Sequence, residues 1–202
     1  MKKLPHFLFA LLAVLVMSWL SGCVTRLPQA QYDFGPLRAL PLDKPAALPP
    51  VRIADVDAPT WLSGNQMSFR LAYANEQQVR PYAANQWNMP PAQLFGQRLK
   101  ARIAEAGGVV LSATGGASQL PLVRIEMDDF IQIFDNETSS WTRIAVRASI
   151  FDGRTLLAQK TFVRDWPAPT PDAAGGARAL ADASDAVIGE LMLWLAAQPL
   201  KR

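Results

Sequence analysis

Arg143-Ile144-Ala145-Val146-Arg147-Ala148-Ser149-Ile150-Phe151, then Asp152-Gly153-Arg154, then Thr155-Leu156-Leu157-Ala158-Gln159-Lys160-Thr161-Phe162-Val163 is the stretch that decides the fold class. In the first run Ile144, Val146, Ala148 and Ile150 alternate with Arg143, Arg147 and Ser149. That period of two belongs to a strand with one buried face. Asp-Gly is a strong two-residue turn signal, because a type I′ turn needs positive φ at both central positions. The second run is therefore predicted to return beside the first. Upstream, Leu120 to Met127 sets Val123, Ile125 and Met127 against Arg124 and Glu126. This predicts a half-buried strand that can continue to Phe134, with Asp135 to Ser140 as turn material.

Working outward, two helices flank this region. Asn88 is a candidate cap, Pro90 and Pro91 sit where missing N–H groups are harmless, and Gly107-Gly108 closes the first helix. Between them Leu94, Phe95, Leu99, Ile103 and Ala106 fall on one stripe, with Gln97, Lys100 and Glu105 elsewhere. The second helix, about Ala177 to Ala197, aligns Leu180, Ser184, Val187, Ile188, Leu191 and Leu195. Trp166 to Pro171 and Gly175-Gly176 read as the loop before it.

Shorter strands are predicted at Tyr32 to Phe34, Val51 to Val56, Met67 to Tyr73, Gln78 to Tyr82 and Val109 to Ser112. Pro41, Pro45, Pro49 and Pro50 mark a surface connection. The expected architecture is one α+β domain: a mostly antiparallel sheet of about six or seven strands with two main amphipathic helices on one face. The expected division is 1–22 leader, 23–31 tether and 32–202 folded domain.

The leader begins Met1-Lys2-Lys3, followed by an apolar run from Phe7 to Leu20 broken only by Ser18. That run is shorter than the roughly 20 residues of a spanning helix and has the layout of a secretory signal. It ends in Leu20-Ser21-Gly22-Cys23, small residues before a single thiol. This resembles the bacterial lipoprotein signal, in which the cysteine takes a diacylglycerol and its freed amine is acylated. Residue 24 is Val, not the Asp associated with inner-membrane retention, so the resemblance favours the periplasmic face of the outer membrane.

The remaining 180 residues keep 18 of the 20 Lys and Arg, since only Lys2 and Lys3 leave with the leader, against all 17 Asp and Glu. A net charge near neutral gives no electrostatic footprint for nucleic acid. His6 is the only histidine and Cys23 the only cysteine. Beyond residue 23 there is thus no imidazole or thiol for a Ser-His-Asp or Cys-His mechanism, and no nitrogen or sulfur ligand for zinc or copper. No phosphate-cradling glycine motif occurs. The most metal-like grouping is Asp128, Asp129, Asp135 and Glu137, which lacks the spacing and glycine of a calcium loop and reads as solvated charge. No cofactor, metal or catalytic residue is expected. Trp61, Trp87, Trp141 and Trp166 fall near predicted element edges and loops. They are either an aromatic surface for a partner or lipid, or caps on a small core.

The order of several segments carries a family resemblance. After the lipidation signal come Tyr32-Asp33-Phe34-Gly35-Pro36, then Ile53-Ala54-Asp55-Val56-Asp57-Ala58-Pro59-Thr60-Trp61-Leu62. Met67-Ser68-Phe69-Arg70-Leu71-Ala72-Tyr73, Tyr82 and Trp87-Asn88-Met89-Pro90-Pro91 follow, leading into Leu94 and Leu99. In this the chain resembles the ABC-type transport auxiliary lipoproteins, the group that includes PqiC-like proteins. The resemblance implies a non-enzymatic outer-membrane lipoprotein anchored through Cys23. It further implies a trans-envelope transporter of phospholipids or other hydrophobic molecules, with an MCE-domain protein, a permease and an ATPase as partners, and in some relatives ring-shaped homo-oligomers. A stand-alone lipid-binding lipoprotein, an assembly factor for another outer-membrane complex, and a carboxylate hydrolase using Asp128 or Glu137 are the other classes open at this level.

Overall fold

A computed structural model describes residues 29–39, 47–114 and 119–200. The elements are β1 (Ala30–Tyr32), β2 (Val51–Ile53), a 3₁₀ turn (Thr60–Leu62), β3 (Gln66–Leu71), β4 (Asn75–Trp87), α1 (Pro91–Glu105), β5 (Val110–Ser112), β6 (Leu122–Asn136), β7 (Ser139–Asp152), β8 (Thr155–Pro167) and α2 (Ala173–Ala196). They build one α+β domain on a single mixed sheet of eight strands.

β6 organises the sheet. On one side it pairs antiparallel with β7 along nearly its whole length, and β7 pairs likewise with β8. On its other side two partners share one edge. β2 takes the first part in parallel, Arg52 opposite Leu122, and carries β5 beyond it. β3 takes the last part, Phe69 opposite Gln132 to Leu71 opposite Phe134, and carries β4 and then β1. The sheet therefore forks along β6.

The hairpin forms, but its turn is shifted by one residue: Asp152 pairs with Thr155, so Gly153 and Arg154 are the central pair, and only Gly153 has positive φ, at 55°, which is not the type I′ pattern. Alternation holds too: Ile144, Val146, Ala148 and Ile150 are fully buried under α2 and the rest of the core. On α2, Leu180, Val187, Ile188, Leu191 and Leu195 are at most 1% exposed. Burying each such side chain contributes about 1.5–3 kcal/mol, so this stripe sets the helix against β7 and β8.

Several boundaries differ from the sequence reading. Asn88 does not cap α1; Pro90 occupies that position without a side-chain bond, and the Asn88 backbone N–H donates instead to the Tyr32 carbonyl at 2.8 Å. Ala106 lies beyond the helix and is exposed. The first strand is Ala30–Tyr32, because residues 33–36 turn away rather than pair. Trp166 and Pro167 belong to β8. α2 starts at Ala173, where the Asp172 carboxylate accepts from the Gly175 N–H at 2.7 Å.

Gly176 explains how closely α2 approaches the sheet. A Cβ there would stand 1.9 Å from Gln132 Oε1. Gln132 is fully buried and satisfied on both sides. It accepts from the Tyr82 hydroxyl at 2.9 Å, and its Nε2 donates to Ser140 Oγ at 2.8 Å and to the Asp172 carbonyl at 3.1 Å. β4, β6, β7 and the start of α2 are thus tied by one neutral network. Burial raises the Tyr82 hydroxyl far above the ordinary tyrosine range, with Asp172 adding to the effect, so it stays protonated as a donor.

Candidate functional site: the seat of the N-terminal segment

Residues 33–38 have no strand partners, yet they are held firmly. Asp33 Oδ1 accepts from the Gly35 N–H at 2.7 Å, closing an Asx turn. That turn drives Phe34 into the core, edge-on to Trp87 at 6.0 Å and stacked on Phe130 at 5.9 Å. Trp87 and Phe130 close the triad at 5.4 Å.

The carbonyls beyond the turn are taken by two arginines of α1. Arg98 Nη1 donates to the Gly35 carbonyl at 2.8 Å, and its Nη2 donates to Phe34 at 3.2 Å and Pro36 at 3.4 Å. Arg102 Nη1 donates to the Arg38 carbonyl at 2.5 Å. Both guanidinium groups fork onto the Asp185 carboxylate of α2, Arg98 at 2.9 Å through both nitrogens and Arg102 at 3.2 and 2.9 Å. Arg102 is 1% exposed and Asp185 13%. Burial disfavours the Arg102 charge, but bonds to Asp185 and to Glu105, at 2.9 Å, outweigh it and raise its affinity for the proton. One carboxylate thus joins the two helices and orients two forks whose remaining donors hold an irregular strap. Bidentate, charge-assisted bonds of this kind are the strong ones.

Beside the strap lies a groove of about 440 Å³. Trp166, Leu193, Ala186 and Gly189 give it apolar walls, and Arg38, Asp182 and Glu190 give it a charged rim.

The four tryptophans do not form one surface. Trp87 is 1% exposed, which corrects its reading as a contact residue: in this fold it cannot touch a partner. Trp61 sits in the 3₁₀ turn and packs partly on the core. Trp141 and Trp166 are one step apart in the β7–β8 ladder, since Trp166 faces Thr142, and alternation sends them to opposite faces. Trp141 donates to Asp135 at 2.9 Å and lies under Arg143 on the outer face. Trp166 lines the groove. Cys23 lies outside the described residues.

The acidic grouping disperses as well. Asp128 faces Arg147 at 4.0 Å and Asp135 holds Trp141. Burial raises the carboxyl of Asp129 above the usual range. Among the described residues no cluster of histidine, cysteine or carboxylates is arranged to hold a metal ion, and no helix is long and apolar enough to cross a membrane.

The Arg98–Arg102–Asp185 cluster is what the sequence reading missed. A signal existed: Arg98 and Arg102 each precede a stripe residue, Leu99 and Ile103, and so flank the buried face of α1. Asp185 follows buried Ser184 on α2 in the same way.

The sequence model for the ABC-type transport auxiliary lipoprotein component matches residues 36–191, from the strap through most of α2. The chain belongs to this family. Among solved structures, the auxiliary lipoprotein domain is similar to protein XCC0632 from Xanthomonas campestris, a DUF330 protein. The TM-score is 0.71 at 17% identity, covering 82% of this chain and 93% of that one. A second crystal structure, of an uncharacterized protein, gives a TM-score of 0.64 at 15% identity over 82% of this chain and 97% of its own. At these identities the likeness is one of fold. No curated protein matches the chain by sequence.

Proposed function

We propose that this auxiliary lipoprotein is a non-catalytic docking component of an MCE-type ABC transport system, anchored through Cys23 at the periplasmic face of the outer membrane. Its system moves phospholipids or other hydrophobic molecules between the two membranes. Family membership over residues 36–191 carries the reading. The leader chemistry supports the anchor, because Leu20-Ser21-Gly22-Cys23 supplies both a cleavage site and a thiol. Several acyl chains on one cysteine give firm attachment where a single chain is only marginal. The absence of imidazole and thiol beyond residue 23 in the sequence argues for a role in binding rather than bond-making.

The test is affinity purification of the tagged protein from detergent-extracted membranes, beside a Cys23→Ala control, with co-purifying proteins identified by mass spectrometry. Enrichment of an MCE-domain protein with wild type, and its loss in the control, is the expected result. Enrichment of an unrelated outer-membrane complex overturns the assignment. The groove beside Trp166 supports a second reading, direct binding of an acyl chain. Lipid that co-purifies with wild type but not with Leu193→Asp favours it.

A further inference from the structure

We infer that Arg98, Arg102 and Asp185 form a clasp that holds residues 30–38 on the fold and so limits how far the folded domain can stand from its membrane. The inference rests on the Cys23 anchor proposed above. With the clasp closed, the first strand residue among the described residues is Ala30, in β1. Seven residues separate it from Cys23 in the sequence, and an extended chain spans at most about 3.6 Å per residue, so the gap is bridged within about 25 Å. If residues 30–38 come away, the first strand holding the chain is β2, which starts at Val51. Leu48 already packs on the core, so up to twenty-five residues separate the anchor from the next described contact, and the permitted reach grows more than three-fold, to about 90 Å.

Besides the Asn88 N–H bond to the Tyr32 carbonyl and the Tyr32 hydroxyl bond to Asn85, what keeps residues 30–38 in place is concentrated in few contacts. β1 has three residues, paired in parallel with one strand, and Phe34 is the one core side chain of the strap among the described residues. Four strap carbonyls, those of Phe34, Gly35, Pro36 and Arg38, end on the two arginines. Asp185 holds both arginines in the donating geometry while contributing no bond to the strap. Its loss therefore loosens all four carbonyl contacts at once, although α1, α2 and the sheet keep their apolar core. Asp185 is a positioning residue for the strap.

The test uses the full-length acylated protein in phosphatidylethanolamine–phosphatidylglycerol vesicles with a headgroup-linked acceptor dye. The donor dye is attached at Leu156→Cys, an exposed site on β8 away from the strap. Wild type should give strong transfer. Asp185→Asn, similar in size but without the charge, should lose most of it while keeping a cooperative thermal transition and wild-type near-ultraviolet dichroism. A wild-type domain with a long Gly-Ser insert after Arg26 should lose transfer in the same way. If Asp185→Asn fails to fold, Arg98→Gln carries the test, since the Arg102–Asp185 pair stays in place. Folded variants with wild-type transfer overturn the clasp. A wild-type protein that washes off the vesicles contradicts the anchor itself, and the clasp with it.

Discussion

Two buried polar networks meet α2, one at its first turn around Gly176 and one nine residues further on at Asp185, and they hold different kinds of structure. The Gln132 network is neutral, links side chains of β4, β6 and β7 to the first turn of α2, and is matched by the missing side chain of Gly176. The Asp185 network is charged, links α1 to α2, and spends its spare donors on a strap with no strand partners. Amide and hydroxyl groups are cheap to desolvate once bonded, which suits a joint inside a core. Ionised groups are expensive to bury and strongly destabilising when unpaired. A charged joint is therefore sensitive to the loss of one member, and here it holds the strap at the start of the described chain.

The comparison can be broken most forcefully at Asp185. Asp185→Ala removes the carboxylate shared by two buried guanidinium groups, of which only Arg102 keeps another, Glu105, and should destabilise the domain by about 3–5 kcal/mol, read from chemical denaturation. Replacing all three charges together by Met and Leu should recover most of that stability, since a packed apolar substitute for a buried ion cluster is often neutral. The strap should stay loose in that triple variant, which separates holding the helices from holding the strap. On the neutral side, Gly176→Ala drives a Cβ onto Gln132 and should cost about 1–3 kcal/mol by overpacking, visible as a lowered Tm.

Asp172 offers a smaller, pH-dependent effect. Its carboxyl is held below the usual range by the Gly175 N–H, then by the Thr170 hydroxyl. A folded pKa below the unfolded value of about 3.9 gives stability that is present above that pH and disappears as pH falls through the folded value. Asp172→Ala should cost about 1 kcal/mol at pH 7 as a lost cap, and the difference from wild type should shrink steadily below about pH 4. The smallest effect belongs to the outer face. Arg143 and Asp165 pair at 2.7 Å but are 39% and 47% exposed. Arg143→Ala should change stability by no more than about 1 kcal/mol, and added salt should shrink the difference further.

Much of the fold was legible in local pattern. Period-two runs around Asp152-Gly153 and period-3.6 stripes on both helices report which face is buried, and burial is what the structure confirms at Ile144, Leu99 and Leu191. The parallel pairings of β2 and β3 along one edge of β6 were not legible, because they join residues 63 to 70 positions apart with no turn to announce them. β4 was undercut for a local reason: it is polar over much of its length, carries Pro81, and meets β3 with register shifts. Of the site, the Tyr32–Pro36 motif was visible but its partners were not. Arg98, Arg102 and Asp185 look like surface charge on a helix until the other helix and the strap are placed against them. Trp87 misled in the opposite sense, since a tryptophan at a strand end is exposed unless something covers it, and here Phe34 of the strap does.

Hydrogen exchange followed peptide by peptide, in wild type and in Asp185→Asn well below its Tm, tests the central claim most directly. Amides of residues 29–39 should lose protection together in the variant while those of β6 and β7 keep theirs. Equal loss across both regions, or unchanged protection at residues 29–39, would contradict it.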